Sequence, residues 1–496
     1  MAGTIFPQFS GGFYQTLAPV TAADQAVNIY TETRQTAGSA KQIFTFGTPA
    51  LTLFTTVATS GNRGWFSQDG RTFTVVGGRL YEVNVEIVTT TDLGAIADDG
   101  LGVFFASNGA GGNQLGIVGG GQLKVLNLGT NVLSAAISLP FSNPVMITFL
   151  DGYGLINEQD TPIVWFSNLE DFTTWDALDF FTRSNTSDNI VGIGVSKDRV
   201  ACLGSKTTTW FYDSGDADTP FVPYPGTTIQ TGLLQPALLG TYNDELFFVA
   251  QSDRGQIRVA RLLDTSVQTI STPPIDLFLA NATTLADAEM LIYYQAGHAF
   301  VTITAPSAEQ DLQSPCYDIT ESLWHFRAGW DENAGVYTRW HARGSAVEGT
   351  QVFVGDYNSG ALYTLDLAVY EDDTETVGVK NLIHRQRATP YASEMPQSLF
   401  INEIQLLAQS GVGLGGSGQG SNPMVQLEIS RDGAQTWIDC GMASLGQLGQ
   451  YTTRTIWRKL GRVRADLFVM RVTQTDPVQL AWNGLMLDLE SGTGQL

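Results

Sequence analysis

Between about residue 60 and residue 370 the chain repeats one pattern: an apolar run, a polar turn rich in Asp, Gly and Asn, a second apolar run, and usually a third. The pattern opens with GWFSQDGRTFTVVGGRLYEVN (64–84) and returns as GVFFASNGAGGNQLGIVGGGQLKVLN (102–127). MITFLDGYGLINEQDTPIVWFSN (146–168), NIVGIGVSKDRVACLGSKTTTWFYDSG (189–215) and ELFFVAQSDRGQIRVARL (245–262) follow. Then come MLIYYQAGHAFVTIT (290–304) and GTQVFVGDYNSGALYTLDL (349–367). Short apolar runs bounded by such turns read as strands in meanders. They recur at roughly 40–50 residues, the period of propeller blades, so an all-β chain with a β-propeller of six or seven blades over 61–370 is expected. Spacing alone leaves open a set of unrelated hairpins distributed over sandwiches. Stretches with apolar residues at i, i+3, i+4 and i+7 are few, which argues against a helical fold.

Both flanks depart from the pattern. Residues 1–60 are rich in Thr, Gln and Ala with scattered aromatics, and predict an extended N-terminal arm ending in a strand near Ala50–Val57. Residues 371–496 form a separate C-terminal block. In MVQLEISRD (424–432), Val425, Leu427 and Ile429 alternate with Gln426, Glu428 and Ser430, as in a strand with one buried face. LFINEIQLLAQS (399–410) is a second strand candidate, with GVGLGGSGQGSNP (411–423) as the loop between them. A β-sandwich-like block follows.

Composition strengthens this picture. Charged residues make up 15% of the chain, against about 25% in an average soluble domain, and 53 residues are glycine. Glycine supplies the positive φ that tight turns need. No run of ~18 apolar residues is present, so no membrane insertion is expected. The start, MAGTIFPQFSGGFYQTLAPV, lacks the charged and apolar regions of a secretory signal. Cys202, Cys316 and Cys440 are scattered and odd in number, which suggests buried free thiols in a reducing cytoplasm. With 26 basic and 49 acidic residues the net charge is -23, which opposes a broad phosphate-binding surface. The same acidity also serves solubility.

Motifs that carry chemistry are weak. Gly411, Gly413 and Gly416 spell G-x-G-x-x-G, but a dinucleotide site needs a helix after them, and here Pro423 and a strand candidate follow. SRDGAQTW (430–437) is close to the Asp-box turn of sialidase-type propellers, with Gly433 one place early and Ala434 where the box has Gly. It reads as a hairpin in which Asp432 accepts backbone N–H bonds and Trp437 packs under the turn. His298, His325, His341 and His384 show no paired metal spacing, and neither a nucleophile elbow nor a phosphate loop occurs. Acidic pairs such as Glu170–Asp171 and Asp176 with Asp179 read as solvated loops rather than a glycosidase dyad. No enzyme activity, metal or cofactor is expected.

One stretch runs against the acidic trend. YTTRTIWRKLGRVRADLFVMRV (451–472) gathers Arg454, Arg458, Lys459, Arg462, Arg464 and Arg471. On an even alternation Arg454, Ile456, Arg458 and Leu460 share one face, and Thr455, Trp457 and Lys459 the other. Phe468, Met470 and Val472 give the next strand an apolar side. Arginine on a half-buried strand suits bidentate pairing with carboxylates, whereas a nucleic-acid surface sets its bases openly among stacking aromatics. Arg454, Arg458, Lys459, Arg462 and Arg464 are therefore the candidate subunit-interface residues, the alternative being a solvated edge whose charges block aggregation.

Taken together, these segments resemble the packaged-DNA stabilisation proteins of short-tailed bacteriophages, also called tail hub or nozzle proteins. VNIYTE (27–32), FGTPALTLF (46–54, with Ala50 where the family tends to have glycine) and RGWF (63–66) carry the start. FLDGYGLI, FSNLEDFTTWDALDF and SDNIVGIGVSKDRVACLGSKTTTWFYDSG carry the middle, then AGHAFVTITAP (296–306), SLWHFRAG (322–329) and VGDYNSGALYTLD (354–366). LEISRDGAQTW, LGQYTTRTIWRKLGRVR and DPVQL (476–480) carry the end. The resemblance implies a structural virion protein that forms a ring, expected to hold six copies, below the head-to-tail adaptor and portal. That ring would extend the DNA channel and retain the packaged genome, passing double-stranded DNA without specific binding. A needle, plug, spike or fibre would attach beyond it. The virion tail is the expected location, after assembly in the host cytoplasm. A secreted carbohydrate-binding or sialidase-like propeller is the alternative, resting on the Asp-box-like turn.

Overall fold

Repeated meanders become blades because each run of apolar residues must bury both of its faces. The computed structural model describes residues 4–6, 9–14, 23–34, 42–282, 285–305, 314–390 and 398–491. Parts of the N-terminal arm and the C-terminal block expected from the sequence lie outside these residues. Blade one consists of Asn62–Gln68, Arg71–Val76, Arg79–Asn84 and Thr89–Ala95, paired in that order. Blades two to four repeat this four-stranded meander over 104–133, 144–182 and 190–223. Blade five (232–269) has two short strands, Gly232–Leu233 and Leu239–Tyr242, along one edge of Glu245–Gln251. Blade six spans 289–327. Blade seven takes Ala342–Glu348, Gln351–Asp356 and Ala361–Asp366 from late in the chain and Ala50–Thr56 from its beginning. The first strand of blade seven then packs beside that of blade one, closing a ring of seven. A nine-residue helix, Pro273–Asn281, lies between blades five and six.

Burial explains the strand sequences. Second strands, such as Arg199–Gly204 and Glu245–Gln251, are buried at nearly every position because neighbouring blades cover both faces. Blade one meets blade two through Phe73, Val75 and Leu80 against Val103, Leu115 and Ile117. Each such side chain contributes about 1.5–3 kcal/mol by leaving water. Tight turns reverse the chain where Asp and Gly tolerate positive φ, as at Asp69 (52°) and Gly70 (74°).

The described strands within residues 1–60, expected as an extended arm, are distributed over three sheets. Thr4–Phe6, Ile29–Arg34 and Gln42–Gly47 enter a six-stranded sheet with Ala481–Ser491, Ser398–Ala408 and Thr455–Arg464. Gln25–Val27 pairs in parallel with Leu323–Arg327 of blade six and antiparallel with Arg385–Ala388. A nine-stranded sheet therefore runs from blade six through Gln25–Val27 into Arg385–Ala388, Val469–Gln474, Met424–Ser430 and Ile438–Ser444. Ala50–Thr56 closes blade seven. Side chains hold this seam. Asn28 donates to the carbonyls of Ala328 (2.9 Å) and His384 (3.0 Å) and accepts from the Ala328 N–H (3.0 Å). Arg387, fully enclosed, donates to the Phe9 carbonyl (2.7 Å) and to Asp24 (2.6 Å).

The six-stranded sheet and the far half of the nine-stranded sheet form the C-terminal sandwich. Val425, Leu427 and Ile429 face its core, as their alternation predicts, and meet Ile404, Trp457, Trp482 and Leu485 there. The glycine-rich loop after Ser398–Ala408 leads into the strand Met424–Ser430 and opens no helix.

Candidate functional site

Thr455–Arg464 is an edge strand of the six-stranded sheet, so its outward side chains meet solvent. It pairs with Ser398–Ala408 out of even register: Glu403 stands opposite Arg458, but Ile401 stands opposite Gly461. Lys459 and Leu460 thus face a single residue, Asn402, and the backbone absorbs the excess at Lys459 (φ 61°) and Gly461 (φ 85°). Such a bulge resets the alternation. Leu460, expected beside Arg454 and Arg458, is buried together with Trp457 and Val463. Lys459, expected beside Trp457, is exposed with Arg458 and Arg462.

Glu403 is shared: Arg454 donates to one oxygen at 3.1 Å and Arg458 to the other at 2.9 Å. Arg454 also donates to Gln405 at 2.6 Å. Both arginine side chains stay more than half exposed, at 56% and 63%, so each pair contributes only about 0–1 kcal/mol and leaves a polar face open. Arg462 donates to Ser398 at 2.6 Å. Arg464 turns aside to chelate Asp466 in the following turn, with Nε 2.9 Å from Oδ1 and Nη2 on Oδ2. That hydrogen bonding raises the pKa of Arg464 and holds the Asp466 carboxyl below its usual range. Arg471 lies on the other sheet, where it grips Glu428 through two nitrogens (2.6 and 2.7 Å) against the Trp437 ring.

Four of the candidate residues, Arg454, Arg458, Lys459 and Arg462, therefore come together on one edge, and Arg464 does not join them. Phe400 was not singled out in the sequence. It stands opposite both Arg462 and Glu490 and is 42% exposed at the centre of this face. Asp488 stands opposite Glu403 one strand further in. The face is basic along its edge, apolar at Phe400 and acidic inward. Only the register reveals Phe400 and Glu403, since no local pattern marks which residues face the arginines.

The Asp-box-like turn is a hairpin between Met424–Ser430 and Ile438–Ser444. Asp432 accepts from the N–H groups of Gln435 (3.1 Å) and Thr436 (2.9 Å) and from the Thr436 hydroxyl (2.6 Å). These bonds, the Thr436 hydroxyl first, lower its pKa to about 2. Trp437, expected under the turn, is half-buried with its ring on Arg471. The turn sits in the sandwich, not in a blade, so it is no marker of a sialidase-type propeller. Among the described residues no group of three or more His, Cys, Asp or Glu side chains is arranged to hold a metal. No helix among them is long and apolar enough to cross a membrane. Burial pushes the Cys202 and Cys316 thiols up to about 12.

No curated protein matches this chain. Among solved structures, the computationally designed Ika8 protein is similar over 69% of this chain and 99% of its own, at 11% identity and a TM-score of 0.36. A chain of the mitotic checkpoint complex is similar over 68% and 95%, at 9% identity and 0.42. The family model "Bacteriophage P22 Gp10, beta-propeller" matches residues 12–370, and "Bacteriophage P22 Gp10, beta-sandwich" matches 384–490. A propeller followed by a sandwich is what the two models describe and what the sheets form over those residues, and the chain belongs to the bacteriophage P22 Gp10 family of structural phage tail proteins.

Proposed function

We propose that this protein is the tail hub, or nozzle, of a short-tailed phage: a non-enzymatic ring, of six copies, that continues the DNA channel below the head-to-tail adaptor and retains the packaged genome. The observation that carries this reading is the match of both family models, in order, across almost the whole chain. The net charge of -23 supports it physically. A channel wall of like charge lets DNA slide, whereas a basic wall would add attraction at every phosphate. Needle, plug, spike or fibre proteins attach beyond the ring, and assembly takes place in the host cytoplasm. Arg454, Arg458, Lys459 and Arg462 serve contacts between copies or with an adjoining ring, not contacts with DNA.

Phage particles assembled without this chain test the reading. They are expected to package DNA and then lose it, giving nuclease-sensitive genomes and empty heads by electron microscopy, with retention restored by adding purified protein. Particles that keep a protected genome in its absence would overturn the retention role.

A further inference from the structure

Among the described residues several large apolar side chains stay exposed, and two groups of them stand in strongly charged surroundings. One is Phe400 on the sandwich, 42% exposed. Arg454, Arg458 and Arg462 flank Phe400 on the sheet edge. The other lies on blade three, where Leu169 is 61%, Leu178 84% and Phe180 41% exposed. These residues lie in and just after the long turn between Ile163–Phe166 and Phe180–Thr182. That turn touches the one at Asp151–Gly152, since the Glu170 N–H donates to the Gly152 carbonyl at 2.7 Å.

The surroundings of the second patch are acidic. Asp151, Asp176, Asp179, Asp198 and Asp213 crowd the turns of blades three and four, with Lys197 and Arg199 as their bases. Arg199 is already engaged, with Asp198 at 3.3 Å and Asp264 at 3.4 Å. Partial burial, then the charges of Asp213 and Asp198, hold the Asp151 carboxyl above its ordinary pKa. Asp179 is raised by burial and by Asp176. Crowded carboxylates of this kind gain from an incoming cation.

The two patches lie on different sides of the molecule. The sandwich is joined to blade six, and blade three is three places away around a ring of seven. On the sandwich face Arg454, Arg458, Lys459 and Arg462 lie along the outer edge and outnumber Glu403, Asp488 and Glu490 further in. On blades three and four the aspartates outnumber Lys197 and Arg199, so the two exposed rims carry opposite excess charge. A surface that complements a different surface of an identical copy makes a head-to-tail contact, which closes into a ring when the rotation permits. Arginine and aromatic residues are also the side chains enriched at the centres of such contacts.

We propose that these patches are the two halves of one contact between copies: the Phe400, Arg458 and Arg462 face of one copy seats on Leu169, Leu178 and Phe180 and the aspartates around them on the next. This rests on the ring reading above and names its surfaces. The Glu403 pairing does not compete, because it holds Arg454 and Arg458 upright while leaving more than half of each exposed.

The test uses the full-length chain, mass photometry with the head-to-tail adaptor present, and circular dichroism as the check of folding. One variant carries Arg458→Glu and Arg462→Glu; the other carries Asp151→Lys and Asp213→Lys. Each alone places like charges across the contact, and its rings are expected to disappear, with at least about a tenfold rise in the dissociation constant between copies. An equal mixture is expected to form rings again, because in alternating copies each contact joins either the two reversed surfaces or the two unaltered ones. Leu178→Lys, at a position that is 84% exposed, should weaken assembly without disturbing the fold. Rings that form normally in both charge variants overturn the contact and leave the ring reading intact. Loss in both variants without recovery in the mixture overturns the pairing of these two surfaces. A wild-type chain that stays monomeric with the adaptor overturns the ring reading itself, and this contact with it.

Discussion

His298 shows how one side chain ties the arm to the propeller. It is 4% exposed in blade six, with Nδ1 2.7 Å from Asp318. Tyr30 of the N-terminal segment lies edge-on to its ring and Phe300 stacks on it. Asp318 also caps the Thr320 and Glu321 N–H groups, and Glu321 in turn binds the backbone and hydroxyl of Thr33. Burial works against the imidazolium, but the Asp318 hydrogen bond and the charges of Asp318, Glu32 and Glu321 outweigh it and raise the pKa above 6.5. Nearby His325 is driven down to about 3 by burial, so it stays neutral. A pKa raised on folding contributes stability that is full below the unfolded value of about 6.5 and is lost as pH rises through the folded value. His298→Gln is therefore expected to lower the urea midpoint most below about pH 6.5, with the gap to the wild type narrowing above neutrality. A gap that widens with pH would reverse the assignment of charge to this pair.

At the scale of elements, closure of the propeller rests on Ala50–Thr56. This strand pairs along the whole of Ala361–Asp366, and Leu51 and Leu53 are further held by their N–H groups on Asp372 (2.8 Å) and Asp373 (2.9 Å). Without it, Ala361–Asp366 becomes a hydrophobic edge in which Leu362 and Tyr363 are exposed to pairing with other chains. Replacing Leu51 and Leu53 by proline removes the two N–H donors that hold the strand to Asp372 and Asp373 and takes the buried Leu51 side chain out of the core. The doubly substituted chain is expected to aggregate and to bind ANS, and its thermal midpoint should fall by several degrees, as about 1 kcal/mol or more of lost stability requires. An unchanged midpoint by differential scanning calorimetry would mean that closure does not depend on this strand. The bulge in Thr455–Arg464 is the opposite device. Its kink and its outward arginines spoil the edge for strand addition, so the edge is left to side-chain contacts.

At the scale of the molecule, the two family regions share one sheet. Sandwich strands continue into blade six through Gln25–Val27, and the six-stranded sheet takes Thr4–Phe6, Ile29–Arg34 and Gln42–Gly47 from the same N-terminal stretch. Residues 384–490 produced alone would lose all four of these partners and uncover Ile404, Leu406, Trp482 and Leu485. Such a fragment is expected to show strand signal in the far-ultraviolet but no cooperative thermal transition. Adding residues 1–47 ahead of it should restore a transition, since those strands return to their sheet. A fragment that already melts sharply alone would show that the N-terminal strands are dispensable.

Much of this fold was legible in the sequence because blades are local objects. Their strands are neighbours along the chain, their turns carry Asp, Asn and Gly where φ is positive, and their period repeats. The alternation of Val425, Leu427 and Ile429 likewise needs only a strand and a core to be true. The ordered run of family segments, together with the absence of metal or nucleophile spacing, carried the structural-protein reading. What the sequence left undetermined involves partners far apart in the chain. Residues 1–60 read as an arm because a short strand has no local signature of the sheet it will join, and here the partners lie about 300 or more residues away for Val27 and Ala50–Thr56. The number of blades became seven only when one strand came from the N-terminus. Lys459 and Leu460 changed faces because the bulge that holds them is set by register with Ser398–Ala408, a pairing no local pattern encodes. Local periodicity determined the elements; long-range pairing decided which surfaces they expose.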